Sequence, residues 1–311
     1  EEKLAQTQAL SIPKAKALFF STGYLANISA ITALSNLKSN ASKIYSARLN
    51  HASLIDGVRL AKGQNNATLF IFDHHNLVAL EDELKQDSSQ HKLIIIDGVF
   101  SMDGDLAPIG ALLQLAERHD ALLMVDDAHG FGVLGRHGYG ILEDSGLCSE
   151  RLIYVGTLGK AAGISGAFVC ANELLIEWLI QKARPYIYST ASSPALAYAL
   201  IRSLELIEGP IGQERRDSLR SNTVLWKQLA QFAHWHLLDS ATAIQPIIVG
   251  SNETVLQLAK DLDRAGYWIP AIRPPTVPVG MSRLRMTLSA THTHDEISAL
   301  ANILLHLESP N

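Results

Sequence analysis

The chain has 311 residues, 47% of them hydrophobic and 18% charged, which supports a buried core and excludes a mainly disordered protein. Its net charge of -5 argues against nucleic acids or anionic membranes as partners, because proteins that bind these usually carry a basic excess. With only two cysteines, a disulfide framework and a CxxC zinc site are excluded. We expect a cytoplasmic protein without a membrane span, a signal peptide or a bound metal.

The predicted elements begin with a helix over the first ten residues and a second, capped helix after Ser21 or Thr22. Short apolar runs bounded by Gly or Asp then predict buried strands of a mostly parallel sheet. These runs are Thr68–Phe72, Leu93–Ile96, Ala121–Val125, Leu152–Val155 and Ala167–Cys170. Amphipathic helical stretches separate several of them, which is typical of an α/β layer architecture. Examples are Ile109–Arg118 and Leu174–Ala183.

After about residue 192 the strand signals become rare, and a smaller α+β unit is predicted. Its elements follow the helix Pro194–Ile207 and are, in order, the charged segment Glu214–Arg220, a helix to about Phe232, the strand Ile244–Val249, the helix Glu253–Ala265, the strand Arg283–Leu288 and the helix His294–Leu307. We therefore place a domain boundary near residue 207. Residues 1–207 form the large domain and residues 208–311 the small C-terminal domain.

A single lysine, Lys160, lies in the glycine-rich segment GTLGKAAGISG after a predicted strand. The glycine spacing and the alanine after the lysine do not fit a P-loop. Two interpretations stay open. The lysine is an exposed side chain in a turn, or it is a partly desolvated amine that acts as a nucleophile in imine chemistry.

Asp126 ends a predicted strand, and His129 follows three residues later. A carboxylate at this end of a buried strand points towards the crevice where α/β folds bind ligands. The alternative is a helix cap or a solvated turn. The next residues, GFGVLG, match G-x-G-x-x-G, but their distance from the strand and the poor helix start after them argue against a dinucleotide site.

Three further features are candidates. The free N–H groups of the helix after Ser21-Thr22 suit a phosphate, although an ordinary capped helix is the alternative. His51 is a lone histidine, a residue that is more often structural than catalytic, and Ser101 lies just after a predicted strand. On a late strand, Arg283 and Arg285 share one face, where one of them can clamp a carboxylate unless both are surface charges.

Together these groups match the needs of pyridoxal 5'-phosphate (PLP): an amine for its aldehyde, a carboxylate for its pyridine nitrogen and a helix terminus for its phosphate. From about residue 17 to its end, the chain resembles the α-oxoamine synthase family of fold-type I PLP enzymes. The motifs that carry the resemblance are STGYLAN, RLNHASLIDG, DGVFSMDGDLAP, MVDDAHGFGVLG, GTLGKAAGISGA, IYSTASSP, AIRPPTVPVG and RLRMTLSATHT. The resemblance implies a PLP-transferase large domain with a mostly parallel sheet.

The resemblance also implies roles for individual residues. Lys160 would form the imine, Asp126 would pair with the pyridine nitrogen, and His51 would stack on the ring and contact substrate. The other implied contacts are Gly23, Tyr24, Ser101, His129 and Thr157 to the cofactor, Ser189 and Thr190 to the phosphate bound in the partner subunit, and Thr276 and Arg285 to substrate. One departure is Asp97, where many members carry Glu.

The implied activity is a PLP-dependent acyl transfer: the decarboxylative condensation of L-alanine with a pimeloyl thioester, carried on CoA or on an acyl carrier protein. The RPPTVP segment favours this biotin-pathway member over relatives that use other substrates. The alternatives are a glycine-using member such as a glycine C-acetyltransferase, a dinucleotide-binding oxidoreductase and an inert binding protein with the same fold. The resemblance further implies a homodimer with a shared active site and a family segment that precedes residue 1.

Overall fold

The computed structural model describes residues 1–37 and 42–308. By its internal contacts the chain divides into two compact units. The first contains residues 1–99 and 107–213, and the second contains residues 100–106 and the chain from residue 214 onward. The short segment 100–106 therefore belongs to the second unit, although it lies within the sequence of the first.

The first unit is built on a seven-stranded sheet. Its strands are β1 (Ala15–Phe20), β2 (Ser42–Ala47), β3 (Thr68–Phe72), β4 (His91–Asp97), β5 (Ala121–Asp126), β6 (Leu152–Thr157) and β7 (Ala167–Asn172). Its helices are α1 (Glu2–Gln8), α2 (Gly23–Leu34), α3 (Ala52–Asn65), α4 (Val78–Gln86), α5 (Ile109–Arg118), α6 (Ile141–Asp144), α7 (Glu173–Lys182), α8 (Arg184–Ile187) and α9 (Pro194–Glu208).

The strand order is β1-β7-β6-β5-β4-β2-β3, and the ladders from β6 through β5, β4 and β2 to β3 are parallel. Only β7 runs against its neighbours, β6 and β1. The predicted α/β class and mostly parallel sheet are confirmed. The sheet core is apolar because the central strands are buried on both faces.

In the first unit, two strands, β1 and β2, lie outside the sequence prediction. Most of β1, from Ala17 onward, lies in one uncharged stretch with α2, and hydrophobic periodicity cannot separate a strand from a helix there. β2 contains Lys43 and two serines, so it lacks the continuous apolar run that marks the other strands. β3 was predicted as buried on both faces, but it is an edge strand and Ile71 is 52% exposed.

Helix α2 brings the sequence's STGYLAN motif to the sheet. The Thr22 side chain accepts a hydrogen bond from the N–H of Leu25 and caps the helix. Of the two predicted caps, Ser21 and Thr22, it is therefore Thr22 that caps α2. α2 packs closely on α3, where a Cβ at Gly57 would lie 2.8 Å from Cδ1 of Ile31. The start of α2 is thereby fixed beside the sheet.

The second unit is an α+β layer of its own. Its elements are α10 (Pro210–Leu229), β8 (His236–Leu237), β9 (Ile244–Gly250), α11 (Asn252–Arg264), β10 (Ala271–Ile272), β11 (Ser282–Thr287) and α12 (His294–Glu308). The sheet is antiparallel with the order β10-β11-β9-β8, and Trp226 lies fully buried in the core. The charged segment predicted to separate two helices is part of α10, which is continuous.

Within residues 1–37 and 42–308, every helix is too short or too polar to cross a bilayer.

Candidate active site

The C-terminal ends of three neighbouring strands carry polar residues. β4 ends at Asp97, β5 at Asp126 and β6 at Thr157. The three strands are parallel, and Asp97 lies opposite Asp126 in the register. Ligands of open α/β sheets bind outside the carboxyl ends of the strands. This edge of the sheet is therefore the candidate site, as the sequence predicts for Asp126.

Asp126 is a buried carboxylate that two donors hold in place. Nδ2 of Asn27 donates to Oδ2 at 2.6 Å, and the backbone N–H of Ala128 donates to Oδ1 at 3.0 Å. Burial raises the pKa of Asp126, whereas the hydrogen bond from Asn27 and the charge of Lys160 lower it. The donors thus favour the ionised form against the cost of burial.

Asp97 is the second buried carboxyl group at this edge. Its Oδ2 accepts the backbone N–H of His51 at 2.8 Å, and its own N–H donates to Oδ1 of Asn50 at 3.0 Å. Burial and the charge of Asp126 raise the pKa of Asp97 well above its usual range. Two neighbouring buried carboxyl groups resist double ionisation, and the donors from Asn27 and Ala128 favour Asp126 as the ionised member of the pair.

Lys160 lies in the turn after β6, and its side chain is exposed. Nζ is 3.0 Å from Nε2 of His129, which follows Asp126 by three residues. The charge of Lys160 also lowers the pKa of both Asp97 and Asp126. The structure therefore brings together the amine, the histidine and the carboxylate that the sequence singled out.

Gly23 and Thr157 meet at the start of α2. An ideal Cβ at Gly23 would lie 2.6 Å from Cγ2 of Thr157, so this position has no room for a side chain. The hydroxyl of Thr157 donates to the carbonyl of Ala128 at 3.3 Å. The helix N-terminus thus lies against the end of β6, where its N–H groups can serve an anion.

Replacing Gly23 by alanine is expected to lower the free energy of unfolding by about 1–3 kcal/mol, the usual cost of overpacking. Thr157→Ser removes Cγ2, so the double variant should recover most of that loss. Urea unfolding of the four chains measures this as a double-mutant cycle. Purely additive effects of the two substitutions would contradict the close contact.

His51 is the N-cap of α3, and its ring is tied to the start of that helix. Nδ1 accepts the backbone N–H of Ser53 at 3.2 Å and lies 2.7 Å from Oγ of Ser53. That Oγ accepts a second hydrogen bond, from Nδ2 of Asn27 at 2.8 Å. The residue as a whole is exposed.

Three other predicted cofactor contacts lie on exposed parts of the first unit. Ser189 and Thr190 line a cavity of about 820 Å³, whose wall also includes Ser21 just before α2. Tyr24 is 45% exposed, and its hydroxyl donates to Oδ2 of Asp56 at 2.8 Å. The structure therefore ties Tyr24 to the surface of α3 through Asp56.

The second unit holds the remaining predicted residues. The carbonyl of Ser101 accepts a hydrogen bond from Nε of Arg285, and burial lowers the pKa of Arg285. Arg283 is 2% exposed and pairs with Asp103 at 2.6 Å, so it is neither a surface charge nor available for a substrate. Thr276 is exposed in the proline-rich loop before β11.

Local structure explains why glycine occupies its three positions in the GFGVLG segment. A Cβ at Gly130 would lie 2.0 Å from Oδ1 of Asp127. Gly132 and Gly135 have φ of +82° and +81°, which disfavours other residues. Residues 130–140, all within the described chain, form turns and bends instead of opening a helix. The context of a dinucleotide fingerprint is therefore missing.

Asp127, next to the candidate site, is a buried carboxyl group with two donors. The N–H of Ile141 and the hydroxyl of Tyr154 donate to its Oδ2 at 2.7 and 2.8 Å. Burial nevertheless raises the pKa of Asp127 to about 7. In the folded chain this residue is therefore half-protonated near neutral pH.

We expect the contribution of Asp127 to the free energy of unfolding to fall as the pH rises from about 4 to about 7. In this range the folded chain keeps a proton on Asp127 that the unfolded chain has released. A shift of this size corresponds to about 4 kcal/mol at most. Asp127→Asn removes the titration and should flatten the dependence. Urea unfolding of both chains across this pH range measures it, and equal slopes would contradict the prediction.

The chemistry of the donor set fits PLP. The site offers a primary amine at Lys160, a buried anion at Asp126 that can pair with a protonated pyridine nitrogen, and a helix N-terminus at Gly23 for a phosphate. His51 adds an aromatic ring, which Ser53 and Asn27 link to Asp126 by hydrogen bonds.

Comparisons with known proteins decide the family. The family described as aminotransferase class I and II matches residues 2–304. The chain belongs to this family. Two curated relatives named 8-amino-7-oxononanoate synthase, from Polaromonas naphthalenivorans and Janthinobacterium sp., are 54% and 49% identical to it. The alignments cover 98% and 99% of this chain and 74% and 76% of the relatives.

Solved structures of the family agree. The 8-amino-7-oxononanoate synthase of Francisella tularensis matches with a TM-score of 0.82 at 30% identity, covering 98% of this chain and 84% of that one. The serine palmitoyltransferase of Sphingomonas wittichii matches with a TM-score of 0.86 at 26% identity, covering 98% and 75%. A structure described as SPT with PLP has a TM-score of 0.88 at 27% identity, covering 98% and 75%. The resemblance to α-oxoamine synthases is confirmed, together with the PLP cofactor.

Sequence reasoning did not assign functions to Asn27, Ser53 or Asp97, which contact the predicted site residues. Asn27 and Ser53 are each 1% exposed. A polar side chain on the buried face of a helix is itself a signal, because it needs a partner there. The partner, however, is far away in sequence, so spacing alone does not reveal it.

Proposed function

We propose that this chain catalyses the PLP-dependent condensation of L-alanine with a pimeloyl thioester to 8-amino-7-oxononanoate. A carbon–carbon bond forms between the α-carbon of alanine and the thioester carbonyl, and the thiol leaves. The alanine carboxylate is then lost as CO2, and a proton replaces it. The observation that carries the proposal is the joint position of Lys160 and Asp126 at one sheet edge, in a chain about 50% identical to synthases of this name.

Lys160, Asp126, His129 and Thr157 would hold PLP, with Gly23 and Tyr24 at the helix start. Ser101 is a further proposed contact of the cofactor. Bound PLP supplies withdrawal of electrons from the α-carbon of the amino acid attached to it. Asp126 holds a proton on the pyridine nitrogen, because a buried carboxylate favours a cationic partner. That proton is what makes the withdrawal effective.

Nζ of Lys160 removes the α-proton of alanine. A general base must be unprotonated when it acts, and the neighbouring Nε2 of His129, 3.0 Å away, can exchange a proton with the amine. The exposed position of Lys160 gives it room to move between attachment and proton transfer.

The substrate contacts belong to three residues. His51 would stack on the cofactor ring and contact the amino acid, Arg285 would bind the carboxylate of the amino acid, and Thr276 would line the substrate site. A guanidinium suits a carboxylate because it donates two parallel hydrogen bonds. Burial of Arg285 strengthens such a pair by excluding water.

We further propose a cytoplasmic homodimer, in which Ser189 and Thr190 reach the phosphate bound in the partner subunit. The exposure of both residues at the wall of a cavity supports this role. The large domain, residues 1–207, would carry the cofactor and residues 208–311 the carboxylate-binding arginine. CoA and an acyl carrier protein are both candidate carriers of the pimeloyl group.

The test is an assay of the PLP-loaded protein with a pimeloyl thioester, carried on CoA or on an acyl carrier protein, and either L-alanine or glycine. With L-alanine, we expect mass spectrometry to detect 8-amino-7-oxononanoate. Free thiol and CO2 should each form in the same amount as this product. A higher kcat/KM with glycine would replace the proposal by a glycine-using synthase. Absence of product with either amino acid and either carrier would overturn it.

A further inference from the structure

Four side chains form a continuous hydrogen-bonded path through the first unit. Asn27 on α2 donates from Nδ2 to Oδ2 of Asp126 at 2.6 Å and to Oγ of Ser53 at 2.8 Å. An amide nitrogen carries two hydrogens, and each contact uses one of them. Ser53 then contacts Nδ1 of His51 at 2.7 Å. The buried carboxylate is thus linked to the exposed imidazole.

The direction of each bond in this path is fixed by chemistry. An ionised Asp126 only accepts, so Asn27 must present its nitrogen to it. Asn27 also donates to Oγ of Ser53, which leaves the single hydroxyl proton of Ser53 to point at Nδ1 of His51. The backbone N–H of Ser53 points at the same nitrogen from 3.2 Å.

Two donors on Nδ1 determine where the neutral imidazole carries its proton. Nδ1 must keep its lone pair, so the proton is on Nε2. A proton on Nδ1 would set it against the N–H of Ser53 and remove the cap of α3. The backbone of His51 is held as well, because its N–H donates to Asp97 at 2.8 Å.

We infer that Asn27 and Ser53 are positioning residues that fix the orientation and tautomer of His51 relative to the Asp126 carboxylate. Neither needs to touch substrate or cofactor. Their bonds leave the Nε2–H edge of the ring as the donor that His51 offers to a substrate oxygen. This role rests on the proposed function, whereas the tautomer itself is a property of the chain alone.

The experiment is two-dimensional NMR of protein labelled with ¹⁵N in its histidine rings, without and with PLP. The His51 signals are identified by their loss in His51→Gln. We expect an unprotonated Nδ1 and a protonated Nε2 in the wild-type chain. Ser53→Ala and Asn27→Ala should shift the Nδ1 signal, and Ser53→Ala should populate the other tautomer.

Ser29→Ala is the matched control, because Ser29 is a fully buried serine on the same helix as Asn27, outside this path. It should leave the His51 signals unchanged. A wild-type His51 with its proton on Nδ1 overturns the inference, and so do unchanged His51 signals in both path variants. The first outcome needs no variant to fold.

Kinetics of the loaded enzyme add the functional test. The two path variants should lower kcat by up to about 100-fold with a smaller change in KM for alanine, because a misplaced group costs mainly in the transition state. Failure of the proposed function would show as an inactive wild-type enzyme with the expected tautomer. Failure of this inference would show as an active wild-type enzyme with the wrong tautomer or with fully active path variants.

Discussion

Replacing Lys160 by alanine is expected to lower kcat for the condensation by about 10²–10⁴-fold, the contribution of a positioned general base. The loss arises because Nζ of Lys160 is the amine that lies 3.0 Å from Nε2 of His129, so both attachment of PLP and removal of the α-proton lose their group. The measurement is product formation from L-alanine and pimeloyl-CoA at saturating PLP.

Lys62→Ala is the control for this substitution, because Lys62 is an exposed lysine near the end of α3. Its variant should keep the wild-type rate. Added methylamine or ethylamine should restore part of the rate of Lys160→Ala, since a free amine can take the proton. Wild-type activity of Lys160→Ala would refute the assignment of this lysine.

Replacing Asp126 by asparagine is expected to lower kcat by about 10²–10³-fold, the usual cost of removing a preorganised electrostatic group from a buried site. The amide keeps the shape of the carboxylate but cannot hold a proton on the pyridine nitrogen. The new amide also contains a nitrogen donor, which can face the donor Nδ2 of Asn27. In the wild-type chain this Nδ2 lies 2.6 Å from Oδ2 of Asp126. The measurement is kcat with L-alanine, together with PLP affinity by fluorescence titration.

The neighbouring Asp127→Asn is a closely matched control. Asp127 is also fully buried, but its Oδ2 faces Ile141 and Tyr154 instead of Asn27. Its variant should alter the pH dependence of stability and leave kcat near the wild-type value. Equal losses of activity in the two variants would mean that burial of an acid, and not pairing with the pyridine nitrogen, sets the rate.

The sequence predicted the central sheet well, because four strands there are continuous apolar runs that end in Asp, Gly or polar residues. The prediction was weaker for the strands at the edges of this sheet. β1 pairs with β7, from Ala15 opposite Asn172 to Phe20 opposite Ala167, and this distant pairing gives its short apolar run a partner that local pattern does not reveal. The charged segment Glu214–Arg220, predicted to precede a helix, is itself part of α10. Most of its charges are exposed on the helix surface, whereas Arg216 is buried.

Prediction of the site had the same limit. Lys160, Asp126 and His129 each stand at the end of a strand or in the turn after it, so their meeting follows from the parallel sheet. Asn27 and Ser53 act through contacts between two helices and a strand, which depend on how α2 and α3 pack. Motif spacing contains no information about that packing.

Arg283 illustrates why alternation on a strand does not by itself identify a binding residue. Arg283 and Arg285 both belong to β11, but the former is buried against Asp103, and the latter reaches the carbonyl of Ser101. Their sequence context is nearly the same. The difference arises from segment 100–106, which packs in the second unit and takes one of the two arginines as an ion-pair partner.

The most direct measurement is reduction of the PLP-loaded protein with borohydride, followed by peptide mass mapping. We predict one phosphopyridoxyl group per chain, on the peptide that contains Lys160, and none when L-alanine has displaced the lysine before reduction. A label on another lysine, or no label in a protein that still forms 8-amino-7-oxononanoate, would contradict the assignment of Lys160 as the residue that holds the cofactor.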